Sequence, residues 1–227
     1  SLYGAHNFLV FAEAEPFGLF LDNPGKVTFD IGYTQQDTAM ITMDSWDMDL
    51  YYIDGENLKD IIRQFRQMIG RSYIPPKWAF GFGQSRWGYK SEDDVREVER
   101  RYRELGIPLD SIYLDIDYME RFKDFTLNNE TFPNFPEFVK EMREKHIHLV
   151  PIIDAGVKIE EGYPVYEEGV ENGYFCKDED GKEFVAAVWP GRVHFPDMLN
   201  PEARRWFGLK YKFLLDQGID GFWNDMN

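Results

Sequence analysis

Short apolar runs separated by proline and glycine open the chain. Phe8-Leu9-Val10-Phe11, Phe17-Gly18-Leu19-Phe20-Leu21 and Lys26-Val27-Thr28-Phe29-Asp30-Ile31 have the length and the aromatic and β-branched content of strands. From Met40 to Ile53 polar and apolar residues partly alternate, which predicts one or two strands more. Such pieces suit an antiparallel β-sandwich whose remaining strands lie upstream. The period changes at Asn57. Leu58, Ile61, Ile62, Phe65, Met68 and Ile69 fall on one helical face, and Gly70 is a suitable stop. Ile74-Pro75-Pro76-Lys77 then forms a short rigid link, so residues 1–70 and 71–227 are read as two regions.

Beyond the link the pattern becomes strand, loop and helix in repetition. Trp78 to Gly83 is read as a buried strand. A helix follows from Glu92, capped by Ser91 with Asp94 three residues on, and Val95, Val98, Tyr102 and Leu105 form its apolar stripe. Asp110 to Asp117 is the second strand, Pro136 opens the second helix, and His148 to Ile153 is the third strand. Gly156 to Met198 shows no clear helix. Asn200-Pro201 starts a third helix that closes at Gly218, and Ile219 to Trp223 is the fourth strand. Four such alternations predict an α/β fold, a (β/α)8 TIM barrel of which this chain holds the first half. A doubly wound sheet would want a glycine-rich phosphate loop after a strand, and no such loop is present.

Composition narrows the partners. The formal net charge is −16, spread along the chain, which repels phosphate backbones and anionic lipid. Nucleic acid and membrane surfaces are therefore not expected partners, and no apolar run has the length of a membrane span. Aromatic residues make up 17% of the chain, a share that suits stacking on sugar rings and suits a rich core equally well. Cys176 is the single cysteine, so no intrachain disulfide framework exists; this fits a reducing, cytoplasmic compartment without establishing one.

The predicted strands end in functional groups: Gln84-Ser85-Arg86-Trp87, Asp115-Ile116-Asp117, Asp154, and Trp223-Asn224-Asp225-Met226-Asn227. Strand C-termini of a barrel share one face, so these acids converge there although distant in sequence. Clustered carboxylates serve two chemistries. Asp115, Asp117, Asp154 and Asp225 offer oxygen ligands for Mg²⁺ or Ca²⁺, whereas the four histidines lack zinc-ligand spacing. The same carboxylates also suit glycoside cleavage, where one attacks the anomeric carbon and another protonates the leaving oxygen. Trp87, Trp189 and Trp223 nearby favour the sugar reading.

Gly221-Phe222-Trp223-Asn224-Asp225-Met226-Asn227 resembles the nucleophile motif Trp-x-Asp-Met-Asn of glycoside hydrolase family 31. Arg86-Trp87-Gly88-Tyr89 resembles the aromatic turn after the family's first barrel strand. Leu114-Asp115-Ile116-Asp117-Tyr118-Met119 with Asp124-Phe125-Thr126 and Phe132-Pro133 is similar to its second-strand segment. Trp189-Pro190-Gly191, Phe195-Pro196-Asp197 and Asn200-Pro201 resemble the stretch before the fourth strand.

The resemblance implies a retaining, exo-acting α-glucosidase that acts on small oligosaccharides without a metal or organic cofactor. It implies Asp225 as nucleophile and Asp115 as the group that holds hydroxyls of the terminal glucose. Trp87, Ile116, Val157, Trp189, Trp223 and Met226 are implied as pocket walls. Asp117, Asp154 and Asp197 are read as supporting groups, Arg86 as a partner for a rim carboxylate, and Cys176 and His194 as satisfied or exposed residues. The helix from Glu92 to Glu104 is read as a solvated face. The family's motif continues into a Glu after Asn227 and its general acid/base is an Asp carried further on, so the remainder of the same polypeptide is an expected partner. An α-xylosidase or transferase of the same family, a metal-dependent barrel hydrolase and a non-catalytic sugar-binding relic remain the alternatives.

Overall fold

In the computed structural model, which describes residues 6–44 and 47–225, the chain divides into two compact units, Ser1–Ile74 and Pro75–Asn227. The apolar runs of the first unit pair as antiparallel strands. They are β1 (Phe8–Phe11), β2 (Phe17–Leu21), β3 (Val27–Ile31), β4 (Ala39–Met43) and β5 (Leu50–Asp54). One sheet has the order β1-β2-β5, and β3 and β4 form a separate hairpin. Helix α1 (Leu58–Ile69) begins where the Asn57 side chain accepts from the backbone N–H groups of Lys59 and Asp60, at 3.0 and 3.1 Å. Its Ile61 is fully buried over Gly18, where a Cβ would come within 2.8 Å of the isoleucine. Phe65 stacks on Phe8 at 3.9 Å, so ring packing holds the helix to the sheet. The sheets are consistent with a sandwich-like region.

The second unit runs β6 (Gly83–Gln84), α2 (Glu92–Glu104), β7 (Ser111–Leu114), α3 (Phe135–Glu144), β8 (His148–Asp154), β9 (Val157–Lys158), α4 (Pro164–Glu171), β10 (Ala186–Val188), β11 (Gly191–His194), α5 (Pro201–Lys210), α6 (Lys212–Leu215) and β12 (Trp223–Asp225). Strands β6, β7, β8 and β12 form a parallel sheet in the order β12-β8-β7-β6. This is a curled, partial barrel with helices on its outer side; the eight-stranded closure that the sequence predicts is not seen among the described residues. Among the described residues no helix is long and apolar enough to cross a membrane.

The core lies between the sheet and its helices. Ile112 and Leu114 of β7 and Leu149 of β8 are at most 2% exposed, as are Phe138 and Met142 of α3, and Val95 of α2 is fully buried. Burying side chains of this size stabilises by about 1.5–3 kcal/mol each. Arg96 joins the two helices: its Nε donates to Glu141 at 2.9 Å, its Nη2 donates to Glu92 at 3.0 Å, and its guanidinium lies over the Phe138 ring.

Four sequence expectations are corrected here. Trp78 to Gly83 is not one strand: Lys77–Phe80 is a 3-10 turn, and only Gly83 and Gln84 join the sheet. Trp78 instead stacks flat on His148 at 4.1 Å, in space that Gly221 leaves open, and plugs the N-terminal end of the sheet. The excursion after β8 is ordered, with α4 and a three-stranded antiparallel sheet of order β10-β11-β9. Its helix carries Gly169 because the Phe175 ring occupies the place of a Cβ. Helix α2 is not wholly solvated, since Glu92 and Glu99 are buried beneath Arg96, Arg103 and Lys145. The fourth strand begins at Trp223 rather than Ile219, which takes the ladder one step further, to Asp225.

Leu114 ties this core to the carboxylate that follows it. In the full-length protein, Leu114→Ala is expected to lower the unfolding free energy by about 2–5 kcal/mol, read from urea denaturation. A loss below about 1 kcal/mol would place Leu114 outside the load of the core.

Candidate active site

Residues paired across a parallel ladder present their side chains to the same face, and the next residue along presents to the other. β12 and β8 pair Trp223 with Ile152 and Asp225 with Asp154. β8 and β7 pair Val150 with Tyr113, two residues before Asp115. Tyr113 meets Trp223 edge-on at 6.2 Å, so both occupy the inner face. Asp115, Asp154 and Asp225 accordingly sit at the C-terminal edge of that face, each from a different strand.

Their electrostatics agree with that placement. Burial pushes the Asp115 carboxyl above its usual range; the hydrogen bond from Ile116 N at 2.8 Å opposes this, and Asp117 and Asp225 add like-charge repulsion. Asp154 is 2% exposed, and neither of its side-chain oxygens has a partner. Burial first, then Asp225 and Asp115, push its pKa up to about 6. Behind it lies Asp124, 1% exposed, whose Oδ1 accepts from the backbone N–H of Asp154 at 3.1 Å. Burial holds the Asp124 carboxyl well above the carboxylate range. Tyr163 donates to the Asp124 carbonyl and Tyr118 to the Ile152 carbonyl, both at 2.7 Å. These bonds fix the end of β8.

An aromatic cleft of about 410 Å³ opens beside the acids, lined by Arg86, Trp87, Ile116, Asp117, Phe122 and Trp189, among others. The volume falls in the range of small-molecule sites. Trp87 is 69% and Trp189 49% exposed, and their rings lie 5.6 Å apart. Two exposed indoles facing one opening form a surface for a flat apolar face such as that of a pyranose. Gly88 keeps the cleft tight, because a Cβ there would overlap the Asp117 carboxylate.

A larger cavity, about 890 Å³, lies on the opposite side of the sheet among Ile153, Phe207, Tyr211 and Asn224. Ile153 and Asn224 alternate with the acids along their strands, so this apolar cavity is separate from the carboxylates.

The structure brings Trp87, Ile116 and Trp189 together at the cleft and Asp115, Asp154 and Asp225 together at the sheet's edge, with Trp223 against Tyr113 on the same face. Ile116 borders the cleft while 2% exposed. Val157 is fully buried and pairs with His194 in the excursion sheet, so it backs the site rather than opening onto it. Met226 lies outside the described residues. Arg86 borders the cleft, and His194 is satisfied by the Phe184 carbonyl at 2.8 Å. No group of three or more His, Cys, Asp or Glu side chains is placed to hold a metal ion among the described residues.

Sequence reasoning gave no role to Phe122 or to the clamp that Asp124 makes. Phe122 stands in a segment where Arg121, Phe122 and Phe125 all have positive φ, a conformation that no residue type there signals. That segment is tied down by Glu160, which accepts from Arg121 Nη2 at 2.6 Å and Lys123 Nζ at 3.0 Å and pairs with Lys158 at 3.2 Å. Hydrogen bonds from Lys123 and Arg121 hold the Glu160 carboxyl down at about 2.

Comparison with known proteins identifies the family. Residues 72–227 match the family described as the glycosyl hydrolases family 31 TIM-barrel domain. An α-glucosidase 2 of Bacillus thermoamyloliquefaciens is 41% identical over 227 residues, all of this chain and 29% of the relative. The crystal structure of a family 31 α-glucosidase from Bacteroides thetaiotaomicron superposes with a TM-score of 0.88 at 32% identity, covering 99% of this chain and 38% of that one. A family 31 dextranase of Flavobacterium johnsoniae, complexed with glucose, gives 0.84 at 30% identity over 92% of this chain and 26% of that one. The chain therefore spans well under half the length of the relatives it matches. With the family's barrel model covering more than half of its residues, the chain belongs to glycosyl hydrolase family 31.

Proposed function

We propose that the full-length protein is a retaining, exo-acting α-glucosidase that releases terminal α-linked glucose from small oligosaccharides. The observation that carries the reading is the convergence of Asp115, Asp154 and Asp225 on one face beside the Trp87–Trp189 cleft. Family membership supports hydrolysis of α-glucosides in general, and the roles that follow are the finer part of the proposal.

Asp225 is the nucleophile. It ends an inner-face strand, and a carboxylate is a group that can attack an anomeric carbon directly. Its carboxylate oxygen forms a bond to the anomeric carbon as the glycosidic bond breaks. An acid carried in the remainder of the polypeptide protonates the leaving oxygen, and water then cleaves the glycosyl ester with retention. Asp115 accepts from hydroxyls of the bound glucose. Burying such a pair confers selectivity, because a sugar lacking the hydroxyl leaves the carboxylate unpaired. Trp87, Trp189 and Trp223 wall the sugar, with Ile116 beside them and Val157 as backing; Met226 is assigned to the wall by the resemblance of its motif. No metal or organic cofactor enters this scheme. An oligosaccharide ending in α-glucose is the partner, and linkage preference is set at the rim.

Two outcomes test it. Asp225→Asn in the full-length protein is expected to lower turnover of p-nitrophenyl α-glucoside by at least about 10⁴-fold while glucose binding persists, since the substitution removes only the attacking charge. Near-normal turnover would reassign the nucleophile. Substitution of Trp87, two-thirds exposed on an adjustable loop, is expected to change the ratio of kcat/KM between α-1,4- and α-1,6-linked disaccharides by roughly tenfold. An unchanged ratio across several side chains would make Trp87 a bystander.

A further inference from the structure

Asp154 is the buried group for which the scheme above finds no use. It stands directly beside Asp225 in the β8–β12 ladder, at the same level and on the same face. It is 2% exposed, and both side-chain oxygens lack a hydrogen-bond partner. Its backbone N–H is gripped by Asp124, which holds the strand end that carries it in place. Among the described residues the groups that face it from the packed elements are acidic or phenolic: Asp225 from β12, Asp115 from the end of β7, and Asp124 and Tyr118 from the segment after β7. No lysine or arginine pairs with it among the described residues.

A buried carboxyl with no cation and no donor ionises only at high cost, and a neighbouring carboxylate raises that cost. Asp154 is the more buried of the two, so a proton held between them resides there. We propose that Asp154 is a positioning residue for Asp225, a buried carboxyl that takes up a proton in mild acid and so spares Asp225 a second anion beside it. Asp154 passes no proton to the sugar. Below about pH 6 it is neutral, so the attacking carboxylate keeps one level and one direction without a second anion pushing it off the inner face. When Asp225 becomes an ester its charge is consumed, and the repulsion on Asp154 ends. The inference rests on Asp225 being the nucleophile only for its catalytic consequence; the coupling of the two carboxyls stands on the ladder itself.

The sign of the pH dependence follows from the elevated Asp154 pKa, about 6 against 3.8 for the free side chain. Between those values the folded protein binds a proton that the unfolded chain has lost. Asp154 therefore contributes stability in full below pH 3.8, and this is lost as the pH rises through about 6.

The experiment is urea unfolding of the full-length protein across pH 4 to 8, comparing wild type, Asp154→Asn, Asp225→Asn and the double variant. The difference between wild type and Asp154→Asn is expected to fall from about pH 4 and to level off above about pH 6. In the Asp225→Asn background the levelling point should move down by about half to one pH unit, a roughly three- to tenfold lower proton affinity. A levelling point that does not move would overturn the coupling. Should Asp154→Asn fail to fold, the pH profile of Asp225→Asn against wild type carries the same shift. The ratio of kcat/KM for wild type over Asp154→Asn is expected to change by at least about threefold between pH 4.5 and 7.5. A pH-independent ratio would mark Asp154 as structural. Turnover by Asp225→Asn would sink the nucleophile assignment and leave the stability cycle intact.

Discussion

Three carboxylates at the ends of adjacent parallel strands cannot be arranged freely. A ladder partner shares its neighbour's face, so once Asp225 pairs with Asp154 the two acids must point the same way. Like charges brought so close are costly in a partly buried place, and the fold offsets that cost unequally. Asp115 has a backbone N–H, Asp154 has none for its side chain, and Asp225 faces the more open side. The inequality gives three chemically identical groups different surroundings.

That inequality depends on packing set well away from the acids. Trp78 and His148 close the lower end of the sheet, and the leucines and isoleucines of β7 and β8 anchor its outer face under α2 and α3. Tyr118 and Tyr163 then reach over the strand ends and fix β8 through carbonyl acceptors. The acids thus rest on a rigid floor, while the indoles of Trp87 and Trp189 stand on more exposed loops. A fixed chemical centre with an adjustable rim is how one barrel architecture accommodates different substrates.

Much of this was legible in the chain. The strand periods of the first unit, the Asn57, Ser91 and Asn200 caps, and the alternation of β7 with α3 and β8 follow from local rules and appear in the structure within a residue or two, except that β7 ends at Leu114, three residues short of the expected Asp117, where Asp115 caps a 3-10 turn. The convergence of acids required only the knowledge that parallel strands end on one side. What escaped had no local signal. Trp78 to Phe82 has a strand-like composition, but tertiary demand for a plug under the sheet makes it a turn. Helix α4 was hidden because its Pro164 start lacks a side-chain cap and its stripe is broken by Gly169, which exists for Phe175. Phe122 reaches the cleft only through backbone angles that its own residue type disfavours. The grip of Asp124 on Asp154 joins residues thirty apart and is invisible to any window.

The tie at Glu160 gives the rim a property the floor does not have. Lys123 pairs with Glu160 in a buried place over the Tyr163 ring, while Arg121 holds the segment of Phe122 to it through charge at a water-facing place. Contacts of that kind weaken as dissolved ions crowd in, whereas the tyrosine bonds beneath are shielded from them. Brine would therefore loosen the Arg121 arm at the doorway of the cleft before it disturbed the strand ends that carry the carboxylates.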